Sequence, residues 1–177
     1  MKQIIIMAKL ANKGLIAHLK SKKLFLLGIF VAFIVCFFDL LSKRLVFAAL
    51  ENQESSNQIE VFSFFSLVSV WNHGVSFGMF NDLVYGQIIF SLIVSAILII
   101  MLAWLYRNQK IYLTWALSFI IGGAFGNLFD RIQNAAVADF LDFHIAGYHW
   151  PAFNLADSFV FIGVMMLLIE DLFLQKK

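Results

Sequence analysis

The chain has one cysteine, one proline and little charge: of its 177 residues, 13 are Lys or Arg and 11 are Asp or Glu. A single thiol, Cys36, forms no internal disulfide, so the sequence is neither a disulfide scaffold nor a dithiol oxidoreductase. One proline among 10 glycines excludes a collagen-like repeat, and 62% apolar residues exclude a disordered chain. Charged residues make up 14%, against about 25% in an ordinary soluble domain, too few to cover a water-facing surface. Familiar catalytic signatures are missing too. There is no P-loop, no Gly-x-Ser-x-Gly elbow and no HExxH. Ser42 and Lys43 are adjacent, so on a helix they point about 100° apart, poor geometry for a Ser–Lys dyad. Among the histidines His18, His73, His144 and His149, only the last two are close, and a five-residue spacing is a weak metal signal. A net charge of +2 gives nucleic-acid binding no support.

What is present is a set of long apolar stretches. Residues 24–38 carry no charge, and the run continues past Asp39 to about Ser42. Residues 83–106 and 111–129 are charge-free, and 152–169 are mostly apolar with Asp157 as the one charge. A hydrocarbon core of ~30 Å needs roughly 20 helical residues, so each stretch suffices for one crossing. These segments lack the polar faces that helices of a soluble core would need. No small-residue cleavage site follows the first run, which reads as a retained anchor.

Ten of the 13 basic residues fall on one side of such a topology: Lys2, Lys9, Lys13, Lys20, Lys22, Lys23, Arg107, Lys110, Lys176 and Lys177. The positive-inside rule makes that side cytoplasmic and puts both termini there, with Lys43 and Arg44 outvoted. Residues 43–82 and 130–151 then lie outside. The first 22 residues form a basic, mildly amphipathic extension that suits either the inner leaflet or a solvated tail. Outside, residues 61–71 alternate partially and read as strand, and 72–78 are turn-rich. Residues 137–143 read as extended or as one short turn. A small sheet on the outer leaflet follows, with Phe62, Phe64, Phe65, Trp71, Phe77 and Phe80 as an aromatic underside.

Ionisable groups at membrane depth cost about 2.5–3.5 kcal/mol each, so each needs a reason. Asp39 and Lys43 are four apart and share a helix face, where an ion pair that fixes the helix is one reading and chemistry at Asp39 the other. Gly122 and Gly126 have the spacing that lets another helix approach closely. Asn127, Asp130 and Arg131 share one face at the outer end of the same stretch, as a structural network or as part of a site. Asp139 sits among apolar neighbours. Asp157 lies about one turn into the last stretch, after Pro151 and a capping candidate, Asn154. If the intervening loop folds back, the two carboxyls face each other. One then keeps a proton while the other stays charged, an arrangement suited to general acid and base work on a carbonyl. Spacing alone does not bring them together.

These polar stations resemble the bacterial lipoprotein signal peptidases (signal peptidase II). The resemblance rests on Asp39-Leu40-Leu41-Ser42-Lys43, Asn72-His73-Gly74-Val75-Ser76-Phe77-Gly78, Gly122-Gly123-Ala124-Phe125-Gly126-Asn127-Leu128-Phe129-Asp130-Arg131, Val137-Ala138-Asp139-Phe140 and Phe153-Asn154-Leu155-Ala156-Asp157-Ser158. Five motifs recur in the family's order over residues 24–174. The resemblance implies an intramembrane aspartyl peptidase that cuts a prolipoprotein just before its diacylglyceryl-modified cysteine. Asp139 and Asp157 would be the catalytic pair. Asn72, Gly74, Asn127, Arg131 and Asn154 would line and order the site, and Asp39, Lys43 and Asp130 would support it. It implies no cofactor and no metal, and a cyclic peptide ligand, globomycin. A longer amino-terminal extension and Ser76 depart from the family's pattern without touching the proposed catalytic positions.

The expected fold is an all-α membrane protein of four transmembrane helices, at about 24–42, 84–106, 111–129 and 153–171. Both termini are cytoplasmic, and a small extracytoplasmic β-rich cradle lies between helices 1 and 2. The setting is the bacterial cytoplasmic membrane, with the site near its outer face, in a monomer bound by lipid and lipid-modified substrate. The rival classes are a small transporter with Asp39, Asp130 and Asp157 as a proton relay, and a structural scaffold.

Overall fold

Helix α1 (Lys2–Glu51) runs unbroken well beyond the apolar run that marks it in the sequence. Hydropathy locates only the part that suits lipid. The helix itself continues through Lys43 and Arg44, because nothing there breaks it, and ends at Asn52. The computed structural model describes residues 1–52, 58–74 and 86–174, with the backbone alone for 2–18, 86 and 174. Ser76, Phe77 and Phe80, and the end of the turn-rich motif, lie outside the described residues. After α1 come β1 (Gln58–Phe62), β2 (Phe65–Asn72), α2 (Gly86–Arg107), α3 (Ile111–Asn134), β3 (Val137–Ile145), β4 (Tyr148–His149) and α4 (Leu155–Ile169). A π-helical turn, Glu170–Leu174, continues α4.

Among the described residues, three helical segments are long and apolar enough to cross a membrane: Leu19–Glu51, Gln87–Arg107 and Ile111–Asn134. α4, at 15 residues, is about 22 Å long and falls short by itself. α2 is apolar all round and exposes Leu92, Ile99 and Ile100, as a lipid-facing helix does. α3 is the central helix, packed against α1, α2 and α4. Its glycines allow this. A Cβ on Gly122 would lie 2.5 Å from the Ala32 carbonyl oxygen of α1, and one on Gly123 would lie 2.5 Å from that of Ala156 in α4. Leu105, Leu113, Leu117 and Ile121 fill the core beside them. Lys110, in the α2–α3 turn, pairs with Glu170 at 2.6 Å and ties that turn to the far end of α4.

The strands form one antiparallel sheet in the order β1-β2-β3-β4. The β-rich cradle expected between helices 1 and 2 is therefore only half of the sheet, and the other half comes from between α3 and α4. The reason is visible in β2. A two-stranded hairpin leaves an edge unpaired, and β3 covers it. β3 hides this role in the sequence because Val137–Phe140 are buried on both faces and do not alternate. Of the expected aromatic underside, Phe62, Phe64 and Trp71 are exposed.

Candidate active site

The ends of β2, β3, α3 and α4 meet around Asn154, a fully buried side chain. Backbone pairing sets it there. Phe153 donates to the Leu141 carbonyl (3.1 Å) and accepts from the Phe140 (3.0 Å) and Leu141 (2.8 Å) amides, which stitches the entry to α4 onto β3. The next residue, Asn154, has an extended backbone and caps α4: its Oδ1 accepts from the Asp157 amide at 2.9 Å. Asp157 reciprocates, its Oδ2 accepting from the Asn154 amide at 3.2 Å, which completes a capping box. Its Oδ1 accepts from Asn127 Nδ2 at 2.8 Å. A carboxylate in the first turn of a helix also gains from the helix's positive end.

Asp139 is placed by strand register. On β2, Val70 lies opposite Asp139 and Asn72 opposite Val137, after a register shift between Leu67 and Val70. Asn72 Nδ2 donates to Asp139 Oδ2 at 3.0 Å, and its Oδ1 accepts from the Gly74 amide at 3.1 Å, which orients the side chain. Asn154 Nδ2 donates to Asp139 Oδ1 at 2.7 Å. One asparagine thus touches both aspartates, one by its side-chain amide and the other by its cap. Asp139 is 2% exposed. Burial pushes its carboxyl up to about 6; the hydrogen bond from Asn72 opposes this, the Asp157 charge adds to it, and Asn154 and Lys43 oppose it.

Beneath the aspartates lies a buried ionic layer. Lys43 Nζ is 2.7 Å from Asp39 Oδ2, 2.8 Å from Asp130 Oδ2 and 2.9 Å from Asn127 Oδ1, so each of its three protons has an acceptor. The spacing of Asp39 and Lys43 thus does produce an ion pair. Asp39 Oδ1 also accepts from the Ala156 amide at 2.8 Å, in the first turn of α4. Asp130 Oδ2 accepts from the Ala138 amide at 3.3 Å, next to Asp139. Each ion-paired carboxylate therefore holds the backbone beside one of the two site aspartates. Gly126 is needed here because a Cβ would collide with Asp39 Oδ2.

Asn72, Gly74, Asn127, Arg131, Asp139 and Asp157 line a cleft of about 890 Å³, walled by Phe153, Trp150, Val160 and Phe161. Asn154 lies just behind it. Arg131 bonds the Asn127 carbonyl (Nη1, 3.2 Å) and lies over the Phe90 ring, 5.3 Å from its centroid. Every site residue expected from the sequence therefore falls in the cleft or in the layer behind it. Phe90 and the apolar wall were not foreseen, because in a uniformly apolar stretch nothing distinguishes a wall residue from a lipid-facing one. The amides of Ala138 and Ala156 carry no side-chain signal at all.

Residues 31–173 match the family model for signal peptidase (SPase) II. The chain belongs to the signal peptidase II family. It is an aspartic-type peptidase and a membrane protein. Proteins named lipoprotein signal peptidase resemble it closely: that of Anaplasma phagocytophilum is 39% identical over 148 residues (83% of this chain, 92% of the relative). Those of Francisella tularensis subsp. novicida (40% over 152 residues; 83% and 92%) and Pelagibacter ubique (36% over 158 residues; 88% and 93%) are similar. Two structures of bacterial membrane enzymes solved by the in meso method superpose with TM-scores of 0.72 and 0.69, each at 30% identity. They cover 82% and 85% of this chain and 92% and 91% of theirs. For this signal peptidase II family member, the cleft holding Asp139 and Asp157 is the natural candidate for the peptidase site.

Proposed function

We propose that this protein removes the signal peptide from diacylglyceryl-modified prolipoproteins, cutting before the lipidated cysteine, with Asp139 and Asp157 activating water. The observation that carries the reading is the shared cleft: two carboxyls, held by the same asparagine, beside an apolar wall that suits a signal-peptide helix. Asp157, in the first turn of α4 and the less buried of the two, acts as the ionised base. It takes a proton from water as the water oxygen adds to the scissile carbonyl. Asp139, raised to about 6, acts as the acid and hydrogen-bonds the carbonyl oxygen. Collapse of the tetrahedral intermediate breaks the C–N bond, with the proton held by Asp157 passing to the leaving amine of the cysteine. Arg131, Asn72 and Asn127 orient the reacting groups. Asn154, Asp39, Lys43 and Asp130 act through them as positioning residues.

The topology belongs to the same proposal. α4 and its π turn, residues 155–174, supply a fourth span; both termini face the cytoplasm, and the sheet and cleft lie at the outer face of the bacterial cytoplasmic membrane. There the lipid on the substrate stays in the bilayer while the peptide bond reaches the aspartates. The enzyme acts as a monomer, and globomycin occupies the cleft. In the deciding experiment, purified Asp139→Asn and Asp157→Asn variants are given a diacylglyceryl-modified precursor, with globomycin as the control. Both should insert, accumulate and fail to cleave, and residual turnover in either near the wild-type rate refutes the two-aspartate mechanism.

A further inference from the structure

The strand that carries Asp139 continues into a second set of ionisable groups, which peptide cleavage does not use. Asp142 and His144 are two apart on β3 and share a face, the opposite one to Asp139. The turn at Ala146 and Gly147 has left-handed backbone at both positions (φ 51° and 83°), which folds β4 back as a tight hairpin. His149 thereby lies directly opposite His144. The two rings stack, with centroids 4.8 Å apart. His149 Nδ1 is 3.0 and 2.9 Å from the two Asp142 oxygens, and His144 Nδ1 is 3.6 Å from Asp142 Oδ2. None of the three lines the aspartate cleft.

A hydrogen bond from His149 to Asp142 explains half of this arrangement. It does not explain His144, whose Nδ1 is shielded from solvent and has no hydrogen-bond partner among the described residues. A metal ion accounts for all three groups. One carboxylate oxygen and two imidazole nitrogens are a three-residue donor set of the zinc type, with the fourth position left for water. Around a tetrahedral ion at ~2.1 Å, donor atoms stand about 3.4 Å apart. The contacts to Asp142 Oδ2, 2.9 and 3.6 Å, bracket that value, and all three donor atoms lie within 4.8 Å of one another. Two imidazoles favour zinc-class ions over Mg²⁺ or Ca²⁺. The His149 ring, 54% exposed, provides the entrance and the freedom to close the remaining gap.

We infer that Asp142, His144 and His149 bind one divalent transition-metal ion of the zinc class, which clamps the β3–β4 hairpin. That hairpin leads from the strand of Asp139 to Asn154, so the clamp braces the connection between the two aspartates without entering the cleft. The test uses tag-free, EDTA-treated protein in detergent micelles, titrated with Co²⁺ and followed by visible absorption. One equivalent should bind with the absorption of a four-coordinate site, be displaced by Zn²⁺ and be untouched by Mg²⁺. His149→Gln and Asp142→Asn should each weaken Co²⁺ binding by at least about tenfold. Zn²⁺ should raise the melting temperature of the wild type and leave that of His149→Gln unmoved. The change to Gln is at an exposed ring, so this variant keeps its fold and its melting temperature in EDTA stays near that of the wild type. Absence of Co²⁺ uptake by the wild type, or wild-type affinity in either variant, overturns the inference. Metal uptake is read without substrate, so neither outcome depends on the peptidase reading.

Discussion

If Asp139 is the acid, cleavage must slow as pH rises through the point at which Asp139 ionises. Its carboxyl is pushed up to about 6, chiefly by burial. Measured on the free enzyme as kcat/KM, activity should therefore fall above about pH 6, approaching tenfold per pH unit. Substrate covering the cleft removes more water, so the kcat profile should turn down at higher pH than kcat/KM. The limb should also respond to Asn72. Its hydrogen bond to Oδ2, at 3.0 Å, favours the carboxylate, so Asn72→Ala should move the limb upward. A hydrogen bond to a charged group is worth roughly 1.5–3 kcal/mol, which corresponds to a displacement of about 1–2 pH units. Stability has the same origin: a carboxyl raised on folding contributes stability fully present below its unfolded value near 4 and lost as pH rises through about 6. Asp139→Asn should remove that dependence from the melting temperature. The assay is precursor cleavage from about pH 4.5 to about pH 9, with the protonated carboxyl followed by its infrared carbonyl stretch. Activity that rises through pH 6 makes Asp139 the base, and a limb that Asn72→Ala moves downward does not belong to the carboxyl that Asn72 holds; either result refutes the assignment.

Other outcomes follow from the buried layers. Lys43→Met strands two buried carboxylates, Asp39 and Asp130, and should cost about 3–5 kcal/mol of stability, read as a lower melting temperature in micelles. Adding Asp39→Asn and Asp130→Asn to it should recover much of that loss. Asn154→Ala removes a helix cap and a donor to a buried carboxylate, together about 2–4 kcal/mol, whereas Asn154→Ser keeps the cap oxygen and should recover about 1 kcal/mol. Both should lose at least about a hundredfold in kcat, because neither holds Asp139. A reporter fused after residue 58 should read as extracytoplasmic, and a cytoplasmic signal would invert the topology.

What was legible in the sequence was whatever depends on local spacing. Asp39 and Lys43 meet because four residues make about one helical turn, and Asn154 caps because its position before an apolar run leaves it that role. The pairing of Asp139 with Asp157 was not legible from spacing. It depends on backbone bonds between Phe153 and β3, and amide and carbonyl groups are the same in every residue. Residues 137–143 did read as extended, and β3 spans them, but its pairing with β2 was not legible for a related reason: a strand covered on both faces shows no alternation to give its register. α1 looked short because hydropathy reports burial in lipid, whereas helix length depends on the absence of a breaker. His144 and His149 gave only a weak metal signal by their spacing, because it is a two-residue turn with positive φ at both positions that sets them face to face.

The two aspartates differ because the ionic layer under them is complete. Lys43 has spent its three protons on Asp39, Asp130 and Asn127, and none is left for either cleft carboxyl. Beyond that layer the cleft holds one further cation, Arg131, and the neutral donors to the pair are shared unequally. Asp157 receives a main-chain amide, a side-chain amide and the positive end of α4. Asp139 receives two side-chain amides and is buried more deeply. In the proposed mechanism the shared proton therefore sits on Asp139, whose carboxyl burial raises. The same completeness argues against a proton relay through Asp39 and Asp130: both accept from Lys43 and from a main-chain amide, and moving a proton onto either would forfeit its ion pair with the buried Lys43.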